Sequence, residues 1–213
     1  MAANMNDSDK DTATDSDLNM SFVESDYGSR MGETPQKGVL VAGLMSKPKY
    51  IPTWYNYDKT GSELQNQCTT KNAGKNYFTR CQMSILQAHI QDIIPRPANE
   101  LILVDIGSGN CSKSKICIDE LIERQGKCSF YPVDISKEFL LQSVSKLSNE
   151  YGAAVNITPI PKDFEQGIEQ LRNVEGPKLV LFLSTLMIMS YDDQVNILRK
   201  ISTILTGFRG CEL

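Results

Sequence analysis

The sequence predicts an α/β fold built on a doubly wound parallel sheet, and three observations carry that reading. From Leu101 onward, short apolar runs alternate four times with helical stretches, a pattern that closes into a parallel sheet with right-handed crossovers. The first run, Leu101-Ile-Leu-Val104, is continuously apolar, as a strand buried on both faces must be. It ends in Asp105-Ile-Gly-Ser-Gly109, a glycine turn that leads directly into a helix whose cap is read as Ser112. A strand, a glycine turn and a helix start form a ligand cradle. Absent Cβ atoms let a small molecule approach the backbone, and the free N–H groups of the helix start attract a carboxylate or phosphate.

The elements follow in order. Residues 1–36 carry eight acidic side chains against Lys10 and Arg30, with few large apolar residues, and read as a disordered acidic tail. Residues 37–98 read as an N-terminal extension, aromatic and then helical. Val39–Met45 is apolar, Pro48 and Pro52 favour extended backbone before them, and Trp54, Tyr55 and Tyr57 cluster as either a lid or a hydrophobic plug. Met83, Leu86, Ile90 and Ile93 then form one helical face, ended by Pro95 and Pro97, with His89 beside it as a packed or half-exposed residue. Residues 99–213 hold the sheet. Strand 101–105 feeds helix 112–125, stopped by Gly126. Strand 128–133 feeds a helix from Ser136 to about Glu150, stopped near Gly152. Strand 154–160 feeds a short helix from Asp163. Strand 178–183 feeds helix 191–205, stopped by Gly207, with Ser190-Tyr-Asp-Asp193 as its capping box.

Composition narrows the function classes. Beyond the tail, 18 acidic and 20 basic side chains remain, so the acidity belongs to the tail and no basic stripe argues for nucleic acid. The apolar run Leu179–Met189 is too short to span a bilayer, and the acidic N-terminus is no secretory signal. Six cysteines without a C-x-x-C pair, and a single histidine, argue against a metal site and for reduced thiols in a cytoplasmic protein.

Three acidic residues fall where successive strands end: Asp105, Asp134 in Tyr131-Pro-Val-Asp-Ile-Ser136, and Asp163 directly before Phe164. Ligands of doubly wound sheets bind at those strand ends. A carboxylate at Asp134 suits two vicinal ribose hydroxyls. Asp163 suits an adenine amino group, with Phe164 on the ring face. A dinucleotide fingerprint would need a third glycine where Ser112 stands. The two-glycine form fits S-adenosyl-L-methionine (SAM), whose methionine carboxylate replaces a pyrophosphate.

The run from Pro48 to Met189 resembles the histidine-specific SAM-dependent methyltransferase family. The resemblance lies in Tyr57-Asp-Lys-Thr-Gly-Ser-Glu-Leu64, Tyr77-Phe-Thr-Arg80, Asp105-Ile-Gly-Ser-Gly-Asn-Cys-Ser-Lys113, Tyr131-Pro-Val-Asp-Ile-Ser136, Asp163-Phe164 and Leu179-Val-Leu-Phe-Leu-Ser-Thr185. It implies a Rossmann-like SAM methyltransferase fold and methyl transfer from SAM to the amino group of an amino acid, histidine-like, or of a related small amine. By resemblance Tyr77, Gly107, Gly109, Lys113, Asp134, Asp163 and Phe164 fall on cofactor positions, and Tyr57 lies near the substrate pocket. Lys113 in particular rests on resemblance alone.

Two departures qualify the likeness. Asn76 and Tyr77 stand where the family has paired tyrosines, and Ser184-Thr-Leu-Met-Ile-Met-Ser190 lacks the Gly and Asn expected after the fourth strand. A methyltransferase sheet normally has seven strands and this chain supplies about four, so the expectation is a C-terminally truncated form with an open apolar edge at the fourth strand. A catalytically inactive SAM-binding or interaction protein is the alternative. No residue is assigned as catalytic base.

Overall fold

The computed structural model describes residues 37–70, 76–94 and 100–205. The expected tail at 1–36 and the helix stops at Pro95, Pro97 and Gly207 lie outside the described residues.

Among the described residues four parallel strands form one sheet: β1 (Ile102–Ile106), β2 (Cys128–Val133), β3 (Val155–Ile157) and β4 (Lys178–Leu181), in the order β3-β2-β1-β4. Among the described residues seven α-helices accompany them: α1 (Lys37–Met45), α2 (Lys59–Thr70), α3 (Tyr77–Ile93), α4 (Ser112–Gln125), α5 (Lys137–Tyr151), α6 (Phe164–Leu171) and α7 (Tyr191–Ser202). The expected α/β class is thereby met, and β2 spans the residues read from the pattern. Ile102, Val104 and Ile106 of β1 pack with Val133, Phe164, Ile168, Ile197 and Ile201, the side of α6 and α7. Leu101 and Leu103 pack with Ile118, Leu121, Phe130, Leu147 and Ile94, the side of α3, α4 and α5. The strand period of two therefore sorts β1 into two cores, which is what double winding requires. Burying a side chain such as Phe130, fully inaccessible here, contributes about 1.5–3 kcal/mol.

Chain punctuation explains the helix limits. Gly126, left-handed at φ 78°, closes α4, and Gly152 closes α5. Asp163 caps α6 by accepting from the Gln166 amide, and Ser190 caps α7 by accepting from the Asp193 amide. Asp192 and Asp193 in the first turn of α7, with Arg199 and Lys200 in its last, complement the helix dipole.

Three expectations need correction. Ser112 is not a cap: Cys111, left-handed at φ 59°, precedes the helix without a side-chain cap, and Asn110 Oδ1 accepts from the Ser112 amide at 3.0 Å. Regular β3 ends at Ile157 rather than Ile160, where Pro159 interrupts the run, although an isolated bridge joins Val133 to Ile160. β4 ends at Leu181, short of residue 183. Among the described residues β4 pairs with β1 alone, and Met187 and Tyr191 beyond it are more than two-thirds exposed. None of the described helices is long and apolar enough to cross a membrane.

Candidate functional site

The strand tips converge as the alternation predicted, and the glycine turn after β1 is the hub. Gly107 and Ser108 both donate their amides to the Val133 carbonyl, at 2.9 and 3.1 Å, which lays the turn across the end of β2. Gly109 then donates to Asp134 Oδ2 at 2.9 Å, while Ser136 donates to Asp134 Oδ1 at 2.9 Å. Asp134 is thus clamped between the turn and the start of α5, with one backbone amide on each oxygen. Burial raises its carboxyl above the usual range, and the Ser136 and Gly109 amides oppose that rise.

The two glycines serve different ends. A Cβ on Gly107 would stand 2.2 Å from Thr185 Oγ1, so its missing side chain admits the segment after β4. A Cβ on Gly109 would meet nothing within 4 Å, so its open side faces free space. Both have positive φ, 76° and 54°, which a glycine adopts without strain. The turn also satisfies most of its own donors. The amides of Gly107, Ser108, Gly109, Cys111 and Ser112 all have partners within the protein.

Lys113 Nζ donates to Ser184 Oγ at 2.8 Å and to Gln82 Oε1 at 3.3 Å, and Ser184 donates to Gln82 at 2.9 Å. Burial lowers its pKa, opposed by the negative charge of Asp105. Asp105 itself, 5% exposed, accepts from Ser114 Oγ. Desolvation pushes its carboxyl up to about 6, against the pull of the Ser114 hydrogen bond. Sequence reading missed Gln82 and Ser184, since they lie 31 and 71 residues from Lys113 and no local pattern links them.

Asp163, 1% exposed, caps α6 through Oδ1, at 2.8 Å from the Gln166 amide. Phe164 is buried, with its ring edge-on to Phe182 at 5.9 Å between centroids. The bridge at Ile160, with Asp134 donating its amide to the Ile160 carbonyl at 3.2 Å, keeps the approach to Asp163 alongside the tip of β2.

The N-terminal helices close over this face. Asn110 of the turn donates to Asn66 of α2 at 2.7 Å. Asp58 Oδ1 accepts from the Gly61 amide at 2.7 Å, starting α2. A Cβ on Gly61 would stand 2.0 Å from the Asn56 carbonyl oxygen, so the Tyr-Asp-x-x-Gly-Ser motif is a cap and a close approach that hold the segment around Tyr57. Tyr57 is half-buried, and burial, followed by the charge of Asp134, raises its phenol above the ordinary value. Tyr77, by contrast, is 71% exposed on the first turn of α3, and His89 is exposed beside Asp92. The side chain of Trp54 lies outside the described residues.

Whether an adenosyl group suits this face is tested by its orphaned atoms. Among the described residues, three buried side-chain polar atoms make no regular hydrogen bond: Ser108 Oγ, which lies within reach of the Cys111 thiol, Ser136 Oγ and Asp163 Oδ2. They follow β1, β2 and β3, three neighbouring strands. Buried polar groups are nearly always paired, so their grouping at adjacent tips fits a polar molecule bound there. Two hydroxyls and a carboxylate oxygen match the donors and acceptors of ribose and an aminopurine.

Comparison with known proteins agrees. The family described as histidine-specific methyltransferase, SAM-dependent, matches residues 36–210. The chain is 28% identical over 163 residues to a histidine N-alpha-methyltransferase of Mycobacterium tuberculosis, covering 76% of this chain and 49% of that protein. It is 30% identical over 144 residues to a histidine N-alpha-methyltransferase of Mycolicibacterium smegmatis, covering 68% and 43%. To a 4-dimethylallyltryptophan N-methyltransferase of Penicillium roqueforti it is 26% identical over 137 residues, covering 64% and 40%. The chain spans about half the length of the curated relatives it matches.

Proposed function

The chain belongs to the histidine-specific, SAM-dependent methyltransferase family, and from that premise we propose that it transfers a methyl group from SAM to the amino group of an amino acid or related small amine. Relatives named for histidine and for a tryptophan derivative support an amino-acid substrate class. The observation that carries the reading is the pair of buried, unpartnered polar atoms Ser136 Oγ and Asp163 Oδ2 at the tips of neighbouring strands, beside a carboxylate held by two amides.

Each residue then has a task. Asp134 keeps lone pairs beyond the two amides it holds and accepts the ribose hydroxyls. Asp163 Oδ2 accepts from the exocyclic amine of adenine, and Phe164 borders the ring. Lys113, a half-buried cation whose hydrogen-bond partners Ser184 and Gln82 are neutral, takes the methionine carboxylate. Gly107 and Gly109 set the bend around which the ligand lies, and Tyr77 stands at its rim. The bound cofactor supplies a sulfonium-linked methyl as electrophile. The protein supplies alignment, and oriented reactants save roughly 7–11 kcal/mol of barrier. Tyr57, whose phenol stays protonated at neutral pH, offers a hydrogen bond and an aromatic face to the substrate side. Residues 37–98 act as an extension that completes the pocket over the sheet domain of residues 99–213, and the protein works in the cytoplasm.

A second reading, a SAM-binding protein without turnover, is favoured by the absence of Gly and Asn from Ser184–Ser190. Incubation with radiolabelled SAM and a panel of amino acids and small amines separates the two. Label in an N-methylated product establishes the transferase; binding of S-adenosylhomocysteine with no product supports the silent form.

A further inference from the structure

We propose that the N-terminal extension carries a lipid-binding surface, through which the protein docks peripherally on an anionic bilayer by the apolar face of α1 and the lysines that follow it. None of these residues belongs to the strand-tip site, so the surface is independent of the methyl-transfer reading.

Apart from Lys37, α1 holds only glycine and apolar residues, so it has no polar face to turn to water. A helix that is apolar all round is ordinarily covered on every side. Here one side is open. Val41, Leu44 and Met45, spaced i, i+3 and i+4 on one face, are between 43 and 64% exposed. The loop after the helix adds to that surface. The Tyr50 amide donates to the Gly43 carbonyl at 2.9 Å, and the Ser46 hydroxyl lies 2.8 Å from the same oxygen. A Cβ on Gly43 would stand 3.2 Å from the Tyr50 ring, so the loop returns against the helix. Tyr50 and Ile51 are thereby held beside α1 with about half of each side chain in the open.

Charge decides what covers this surface. Lys47 and Lys49 are exposed in the turn between α1 and Tyr50. With Lys37 they are the only charged residues from Thr34 to Tyr57, in a chain whose net charge is −4. A second copy seated here about a two-fold axis would set lysine against lysine. Anionic headgroups answer the lysines instead, each of which strengthens binding about fivefold near such a surface. Tyr50 supplies an aromatic ring with a polar tip, the side chain favoured at headgroup level. Nine residues make a helix roughly 14 Å long, under half the hydrocarbon thickness, so α1 lies in the interface and does not span it. The eight acidic and two basic side chains of residues 1–36 oppose the attraction, so the apolar face and the lysines are both needed.

The experiment sediments the full chain with vesicles of phosphatidylcholine, and with vesicles of phosphatidylcholine mixed with phosphatidylserine, at low and high salt. Two double variants accompany the wild type. Val41→Ser/Met45→Ser removes the apolar face, and Lys47→Gln/Lys49→Gln removes two charges. All four side chains are exposed, so both variants should keep the wild-type circular dichroism and unfolding midpoint. The expected result is wild-type binding to the mixed vesicles that weakens with salt. Loss of both lysines should weaken it about thirtyfold, and loss of the apolar pair by at least about tenfold. Wild type that ignores the mixed vesicles, equal binding to both vesicle types, or variants that bind like wild type overturn the proposal. So does a dimer, seen by analytical ultracentrifugation, that Val41→Ser/Met45→Ser dissociates, since the face would then belong to a second copy. Should a double variant fail to fold, Met45→Ser alone, at the most exposed of these apolar positions, and the wild-type salt dependence provide the same test.

Discussion

Asp105 is the residue whose chemistry the fold alters most plainly among the carboxylates. It lies in β1 one residue before the strand ends, is almost fully buried, and is held by Ser114 at the start of α4. Burial lifts its carboxyl to about 6, and burial also raises those of Asp134 and Asp163. The Asp105 carboxyl, raised above the unfolded value of 3.8, binds more protons in the native than in the unfolded chain between about pH 4 and 6. Its contribution to stability is therefore present on the acid side and lost as pH rises through that window. For Asp105 the loss is on the order of 3 kcal/mol. Denaturant unfolding of the ligand-free protein from about pH 4 to 7 should show wild-type stability falling with pH up to about 6 and then levelling, and Asp105→Asn should flatten much of that fall. Equal slopes would show that Asp105 is not the titrating group.

Among elements, α2 shows how a motif becomes geometry. Asp58 caps its first turn, and Gly61 allows that turn to close against the Asn56 carbonyl, which fixes the neighbouring Tyr57. Gly61→Ala forces a Cβ into that carbonyl and should cost about 1–3 kcal/mol, visible as a lowered unfolding midpoint. An unaltered midpoint would mean that the turn relaxes freely. Much at this scale was legible in the sequence, because strand period, helix period and capping residues are local. β2 and α4, and the caps at Asp163 and Ser190, fall where the pattern put them. What could not be read is what depends on distant partners. The side chain missing from Gly107 makes room for Thr185, and Lys113 meets Gln82 and Ser184, through contacts that no local spacing encodes.

At the scale of the molecule, the end of α3 is fastened to α4 by hydrogen bonds from Arg124, which an ion pair within α4 holds in place. Arg124 of α4 donates to the Ile94 carbonyl at 2.8 Å and the Gln91 carbonyl at 2.9 Å, and pairs with Glu120, whose side chain is only 9% exposed. Arg124→Ala would release the end of α3 and leave Glu120 buried without its counter-ion, a change expected to cost about 3–5 kcal/mol. Chemical denaturation would register it, and a loss below 1 kcal/mol would show the junction to be held by apolar packing alone. These ties matter because they hold α3, which carries Gln82, at the face where the three strand tips meet, as the Asn110–Asn66 hydrogen bond does for α2. The account as a whole stands on Asp134 gripping a ribose at that face. Calorimetric titration of S-adenosylhomocysteine into wild type and Asp134→Ala tests it most directly. One binding site in the wild type, weakened at least about tenfold in the variant by loss of a charged acceptor, is the predicted result; equal affinity in both proteins would contradict it.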